Sequence, residues 1–197
     1  MDCLQTAFTC CFRQRRLPHD ILWHGSPRSV ALLIENFPRP RCPYAEFTEL
    51  MYLLRQHGAK CTFLVPWDVL KQHRPKAAVH EMMRMINVEG HEVALHFRQG
   101  VCGRSNVQLR QDAVEALHYV QRVFGTSVTV VRIACPTFGA VTALESLGLT
   151  VVGDCHGSGV FSFPDEPALQ QNLRTALEVA TGIGKRCVRL DYLLDEI

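Results

Sequence analysis

The sequence predicts an α/β domain built on a parallel sheet, and three observations point there. From Val30 onward, short apolar runs alternate with longer amphipathic segments. Glycines close several of the amphipathic segments, at Gly58, Gly90 and Gly148. A length of 197 residues at 47% hydrophobic and 20% charged composition suits one core of ordinary size. Strands alternating with helices read as βα units, arranged as an open doubly wound sheet or as a βα barrel.

Val30 to Ile34 has the pattern of a buried strand. Phe47, Leu50, Met51 and Leu54 then recur at helical spacing, and His57-Gly58 ends that helix. Cys61 to Val65 reads as the second strand. Pro75 to Val88 is helical, with Val79, Met82, Met83 and Ile86 on one stripe. His91 to Leu95 is a short strand. Ser105-Asn-Val-Gln108 has the form of a capping box before a helix carrying Val114, Leu117, Gln121 and Phe124. Ser127 to Ile133 is β-branched and strand-like, Val141 to Leu147 a short helix, and Leu149 to Gly153 the next strand. Pro167 suits the first turn of a helix running to about Thr181, before a last strand at Arg186 to Leu190. Gly159 to Phe163 is a weaker candidate for a seventh strand.

Composition excludes several classes. Twenty-one basic residues against 19 acidic ones leave a net charge of +2, too small for a nucleic-acid footprint. No apolar run reaches the ~18 residues of a spanning helix. The nine cysteines are odd in number, scattered and without a C-x-x-C pair, so neither a zinc ribbon nor a thioredoxin-type site is expected. Cys61 and Cys187 sit in apolar runs and read as small hydrophobes. Residues 1–19 read as a flexible leader and 20–197 as the domain. Met1 to Cys11 lacks a basic start and a long apolar stretch, so a cytoplasmic protein without a secretory signal is expected. Cys10-Cys11 beside Arg13, Arg15 and Arg16 is a weaker signal, for a lipid anchor. Gly182-Ile-Gly-Lys185 lacks the upstream glycine of a phosphate loop, and no Gly-x-Ser-x-Gly elbow is present.

In both parallel architectures chemistry collects at the C-terminal ends of the strands. Those ends carry Glu35-Asn36-Phe37-Pro38, His96, Cys135-Pro136-Thr137-Phe138-Gly139 and Asp154-Cys155-His156-Gly157. Carboxylate, amide, imidazole and thiol on one face would suit metal-assisted hydrolysis with a carboxylate base. From spacing alone, polar residues at the starts of ordinary loops are the stronger reading.

The order of these segments resembles one family. Val30-Ala-Leu-Leu-Ile-Glu-Asn-Phe-Pro38 is similar to the V-A-L-T-F-D-D-G-P segment of the polysaccharide deacetylases, the NodB-homology domains. Glu49 to Val65 resembles their L-L-x-x-H-G-V-x-A-T-F-F-V, and Glu89-Gly-His-Glu-Val-Ala-Leu-His96 their E-G-H-E-I-G-N-H. Glu145 to Gly153 and Lys185 to Leu194 are similar to two later segments. The resemblance covers roughly residues 20–197. It implies an irregular (β/α) barrel with one element shortened. It also implies a hydrolase that removes acetyl groups from N-acetylated, chitin-like, or O-acetylated sugars by a water bound to a divalent, zinc-like metal.

Position by position the implied site is degraded. Glu35 falls where the family has its base, an Asp. Asn36 falls at the metal-binding Asp, and His96 matches the first ligand histidine. Gly100 stands where the second histidine should be, and Cys135 where an Arg should be, with Arg132 three residues earlier. Pro136, Phe138, Gly139 and Asp154 are candidates for the substrate groove. Glu35 itself, Cys102, Asp154 and His156 are candidate replacement ligands; a solvated loop residue is the simpler reading of His156 and a plain thiol that of Cys102. The stretch 157–166 is too short for the usual strand, helix and strand that carry the catalytic acid. The sequence thus implies a deacetylase-like protein acting on acetylated oligo- or polysaccharide, weak or inactive in this copy. The alternatives are a non-catalytic glycan-binding or regulatory pseudoenzyme, or a truncated product.

Overall fold

The computed structural model describes residues 26, 28–38, 44–72, 77–98, 104–134, 136–153, 160–164 and 168–196. Seven strands follow one another as β1 (Ser29–Glu35), β2 (Thr62–Pro66), β3 (Glu92–Phe97), β4 (Val130–Ile133), β5 (Thr150–Val152), β6 (Val160–Pro164) and β7 (Arg186–Val188). Between and after them lie α1 (Tyr44–Gln56), α2 (Trp67–Gln72), α3 (Ala77–Val88), α4 (Asn106–Phe124), α5 (Phe138–Glu145), α6 (Leu169–Gly182) and α7 (Leu190–Glu196). All ladders are parallel, in the order β5-β4-β3-β2-β1-β6. β7 pairs with the first residues of β1, Ser29 to Ala31, on the edge that β2 occupies further along. It is wedged where β1 and β2 splay at their N-terminal ends, and Lys60 N donates to Cys187 O at 3.0 Å beside it.

Alternation along each strand sorts side chains into two cores. Leu32, Ile34, Phe63, Val65, Val93, Leu95, Val131 and Val151 face the helices and join the larger one. Ala31, Leu33, Leu64, Ala94, Val130, Val152 and Val160 face the other way into a smaller cluster with Leu190 and Leu193 of α7. Val152 and Val160 come from opposite edges of the sheet yet share that inner cluster, so the sheet curls around it. Chain length asks for the same curl. A flat sheet would set its edges about 24 Å apart, nearly the full reach of residues 153–159. Among the described residues β5 and β6 form no ladder with each other, and the result is an irregular (β/α) half-barrel.

The local signals hold where they were strongest. Gly58, Gly90 and Gly148 all take positive φ after helices, the conformation that glycine adopts without strain. Ser105 caps α4, its side chain accepting from Gln108 N while Gln108 Oε1 accepts from Ser105 N. The weaker candidate at Gly159 to Phe163 is realised as β6, Val160–Pro164, with five registered pairs to β1. Two expectations are corrected. The last strand stops at Val188, and Leu190 starts α7, because Leu190 and Leu193 plug the inner core and the Leu190 N–H donates to Thr62 Oγ1 at 2.8 Å. The short α2 directly after β2 was not foreseen; it seats Trp67 and Leu70 in the main core.

Candidate functional site

The inner faces of the strands end, at their C-terminal tips, in polar residues. Glu35 shares its face of β1 with Ala31 and Leu33, His96 its face of β3 with Ala94, and Arg132 its face of β4 with Val130. Ser162 lies on the face of β6 that carries Val160. Pro66, His96, Arg132 and Val152 form one register row across β2 to β5. Four strands thus aim a carboxylate, an imidazole, a guanidinium and a hydroxyl at the same end of the barrel.

The centre of the set is an ion pair. Arg132 Nη1 and Ser162 Oγ both donate to Glu35 Oε1. The Arg132 side chain is only 5% exposed and that of Glu35 21%, so the pair is largely out of water. Burial by itself would raise the Glu35 pKa. The Ser162 and Arg132 hydrogen bonds, the Arg132 charge and the His96 charge outweigh it, and the carboxyl titrates below its ordinary range. Glu35 is therefore a carboxylate at neutral pH, with one oxygen doubly engaged.

Asn36 follows at φ 60°, a left-handed conformation that Asn tolerates better than most residues. Its Oδ1 is buried and has no hydrogen-bond partner among the described residues. His96 is buried at 6% exposure. Arg132, left open by the sequence, reaches the site, and Ser162 was missed. The signal for Ser162 was the alternation of Val160-Phe161-Ser162-Phe163, which turns one hydroxyl inward between two aromatics.

Pro136 is buried, against Gly153, and Thr137 Oγ1 accepts from Ala140 N at 3.2 Å to cap α5. Phe138, the first residue of α5, is 82% exposed. Gly139 meets α4 so closely that a Cβ would lie 2.3 Å from Asn106 Nδ2. Gly100, Cys102, Cys135, Asp154, Cys155 and His156 lie outside the described residues.

Among the described residues the donor set does not fit a divalent metal. His96 supplies one imidazole and Asn36 one neutral amide oxygen. The remaining carboxylate, Glu35, is held by a guanidinium whose fixed positive charge would repel a dication. Among the described residues no group of three His, Cys, Asp or Glu side chains is placed to hold a metal ion.

No protein-family model and no curated protein matches the sequence. Solved structures do. A family 4 carbohydrate esterase from Bacillus anthracis is similar at a TM-score of 0.67 and 16% identity, over 94% of this chain and 95% of that one. A CE4 family pseudoenzyme from Bacillus anthracis, BA3943, is similar at 0.67 and 14%, over 87% and 68%. A mutant of that pseudoenzyme has restored enzymatic activity. A family 4 acetyl xylan esterase from Clostridium thermocellum, in complex with a cobalt ion, is similar at 0.63 and 17%, over 85% and 91%. At such identities the likeness is one of fold: this chain has the fold of the family 4 carbohydrate esterases, the polysaccharide deacetylase barrel that its motifs resemble.

Proposed function

We propose that this chain is a deacetylase-like protein whose C-terminal barrel end binds acetylated oligo- or polysaccharide, and that it is impaired as a metal-dependent hydrolase. One observation carries the reading. At the barrel end used by this fold for chemistry, the strand-tip carboxylate of Glu35 is tied to a buried guanidinium and a serine hydroxyl, next to a neutral Asn36. Arg132 takes the place of a cation at the site and cancels the charge that would attract one. Glycan binding draws on the exposed Phe138 ring at the mouth, a face for sugar C–H groups, with the Pro136 and Gly139 turn behind it. An active hydrolase with Glu35 as base is the second reading, favoured by the carboxyl being held ionised.

The test uses the full chain and an N-acetylated chitin pentamer. The expected result is saturable binding in the presence of EDTA, substoichiometric zinc after dialysis, and no acetate release. Acetate release with one bound zinc would establish the second reading instead, and absence of pentamer binding would remove the glycan assignment. The pair Asn36→Asp with Gly100→His is expected to add zinc binding that the parent chain lacks.

A further inference from the structure

Helix α7 is held against the N-terminal end of the barrel by two kinds of contact. Leu190 and Leu193, both fully buried, pack with Ala31, Leu33, Leu64 and Ala94 in the inner core. The first two N–H groups of the helix are capped by side chains from the sheet. Leu190 N donates to Thr62 Oγ1 at 2.8 Å, and Asp191 N to Glu92 Oε2 at 3.3 Å. Thr62 Oγ1 donates in turn to the same Glu92 oxygen at 2.5 Å, so both caps depend on one carboxyl group. α7 has only seven residues. Isolated helices shorter than about 12 residues are marginal in water, so α7 keeps its form only while it is docked.

That carboxyl group is poorly placed to carry a charge. Glu92 is 7% exposed, and its Oε1 is buried with no partner among the described residues. The charged and titratable groups about it come from three directions. On the β2 side, the Lys60 ammonium is turned to Glu89 O, and Cys61 lies in the main core. On α7, Asp191 adds a like charge, and Arg189 just before the helix is committed to Asp191 by two bonds of 2.7 and 2.9 Å. His91, the residue before Glu92, takes the opposite face. There Cys61 N donates to its Nδ1 at 3.2 Å, and its ring meets Phe63 edge-on at 6.0 Å. Burial first, with the Asp191 charge adding to it, raises the Glu92 carboxyl to about 7. The hydrogen bonds from Thr62 and Asp191 N and the Arg189 charge oppose that rise.

We propose that α7 is a pH-released cap, docked while Glu92 carries a proton and opening as Glu92 ionises. With the proton in place the carboxyl is neutral, and holding it under the helix costs little. Once ionised, Glu92 faces the Asp191 carboxylate across the cap, and lifting α7 returns it to water. The sign follows from linkage. A raised carboxyl stabilises docking below its ordinary 4.5, and that stabilisation is lost as pH rises through 7. His91 stays packed against Cys61 and Phe63 when α7 lifts, so its opposite dependence belongs to global unfolding and not to this local opening. The cap makes no use of the Glu35 end, so it stands whether or not the glycan reading does.

The test is amide hydrogen exchange on the full chain at pH 5 and pH 8, each rate divided by the intrinsic rate at that pH. The Leu190, Asp191 and Leu193 amides are expected to lose protection about tenfold or more from the lower pH to the higher. The Leu109 to Val120 amides of α4 are expected to keep theirs. Glu92→Gln retains an acceptor for Asp191 N and removes the charge, and in it α7 is expected to be equally protected at both pH values. A second measurement needs no variant. In NMR spectra of the parent chain, the Glu92 carboxyl carbon and the Leu193 methyls are expected to titrate with one midpoint near 7. Protection of α7 that does not fall with pH, a fall that persists in Glu92→Gln, an equal fall in α4, or Leu193 methyls that stay still while Glu92 titrates would each overturn the cap.

Discussion

Glu35 and Glu92 both project from the inner face of the same curled sheet, one at the C-terminal tips of the strands and one at their starts. Glu35 meets a guanidinium and stays charged. Glu92 meets neutral groups: Thr62 Oγ1 donates to its Oε2 at 2.5 Å and Asp191 N at 3.3 Å. Its other oxygen is buried without a partner among the described residues. Burial, with the Asp191 charge adding to it, pushes the Glu92 carboxyl up to about 7, against the Thr62 and Asp191 hydrogen bonds and the Arg189 charge. Between the two lie Ala31, Leu33, Leu64 and Ala94, all fully buried, which keep the ends apart. The contrast separates a site from a plug. The C-terminal end assembles opposite charges in a polar row, as a binding or reacting surface requires. At the N-terminal end Leu190 and Leu193 of α7 cover the inner core, which tolerates a carboxyl only by keeping much of it protonated.

The largest break in this contrast is expected at Arg132. Arg132→Met leaves Glu35 partly buried beside Ser162 without its cation, at a cost of about 3–5 kcal/mol. Arg132→Met with Glu35→Gln is expected to recover much of that loss, because no uncompensated charge remains. Chemical denaturation of the two variants measures it, and equal stability of both would mean that the pair contributes no coupling.

The N-terminal end yields the next effect, in pH dependence. His91 precedes Glu92 and is buried too. Cys61 N donates to its Nδ1 at 3.2 Å, and burial first, then the Lys60 charge, bring its pKa to about 4. A depressed histidine contributes stability present above its ordinary 6.5 and lost as pH falls toward 4. A raised glutamate contributes stability present below its ordinary 4.5 and lost as pH rises through 7. Each slope integrates to about 3 kcal/mol, with opposite sign over nearly the same window. They largely cancel, so the parent chain is expected to show a flat contribution from this pair between about pH 4.5 and 6.5. In Glu92→Gln unfolding free energy should rise with pH across that window, and in His91→Gln it should fall. Parallel profiles for both variants would contradict the assignment.

Two smaller effects sharpen the C-terminal end. Thr137→Ala removes the side-chain cap of α5 and should cost about 1 kcal/mol by thermal unfolding. Phe138→Ala, at a ring 82% exposed, should change stability by less than about 0.5 kcal/mol while weakening binding of the chitin pentamer. A stability loss as large as that of Thr137→Ala would place the ring in the core instead of the mouth.

Much of this molecule was legible from local pattern. Leu32 and Ile34 against Ala31 and Leu33 already mark a strand buried on both faces, and the Ser105–Gln108 box and the glycines after α1 and α3 mark their helix ends. Glu35, Asn36 and His96 were legible as strand-tip residues because a parallel sheet puts its loops there. The Glu35–Arg132 bond was not, since it joins positions 97 residues apart, and the Ser162 bond joins positions 127 apart. Nor was α7, whose first residue, Leu190, read as the end of a strand until the inner core gave it and Leu193 somewhere to pack.

What the sequence determined by itself was the βα order, the helix ends and which residues stand at the strand tips, because these depend on side-chain period and on backbone conformations a few residues long. What only the tertiary structure decided was charge. Two glutamates of one sheet, Glu35 partly and Glu92 fully buried, differ in ionisation because curling brought a guanidinium to one and a short helix to the other, and burial makes the nearest partner decisive.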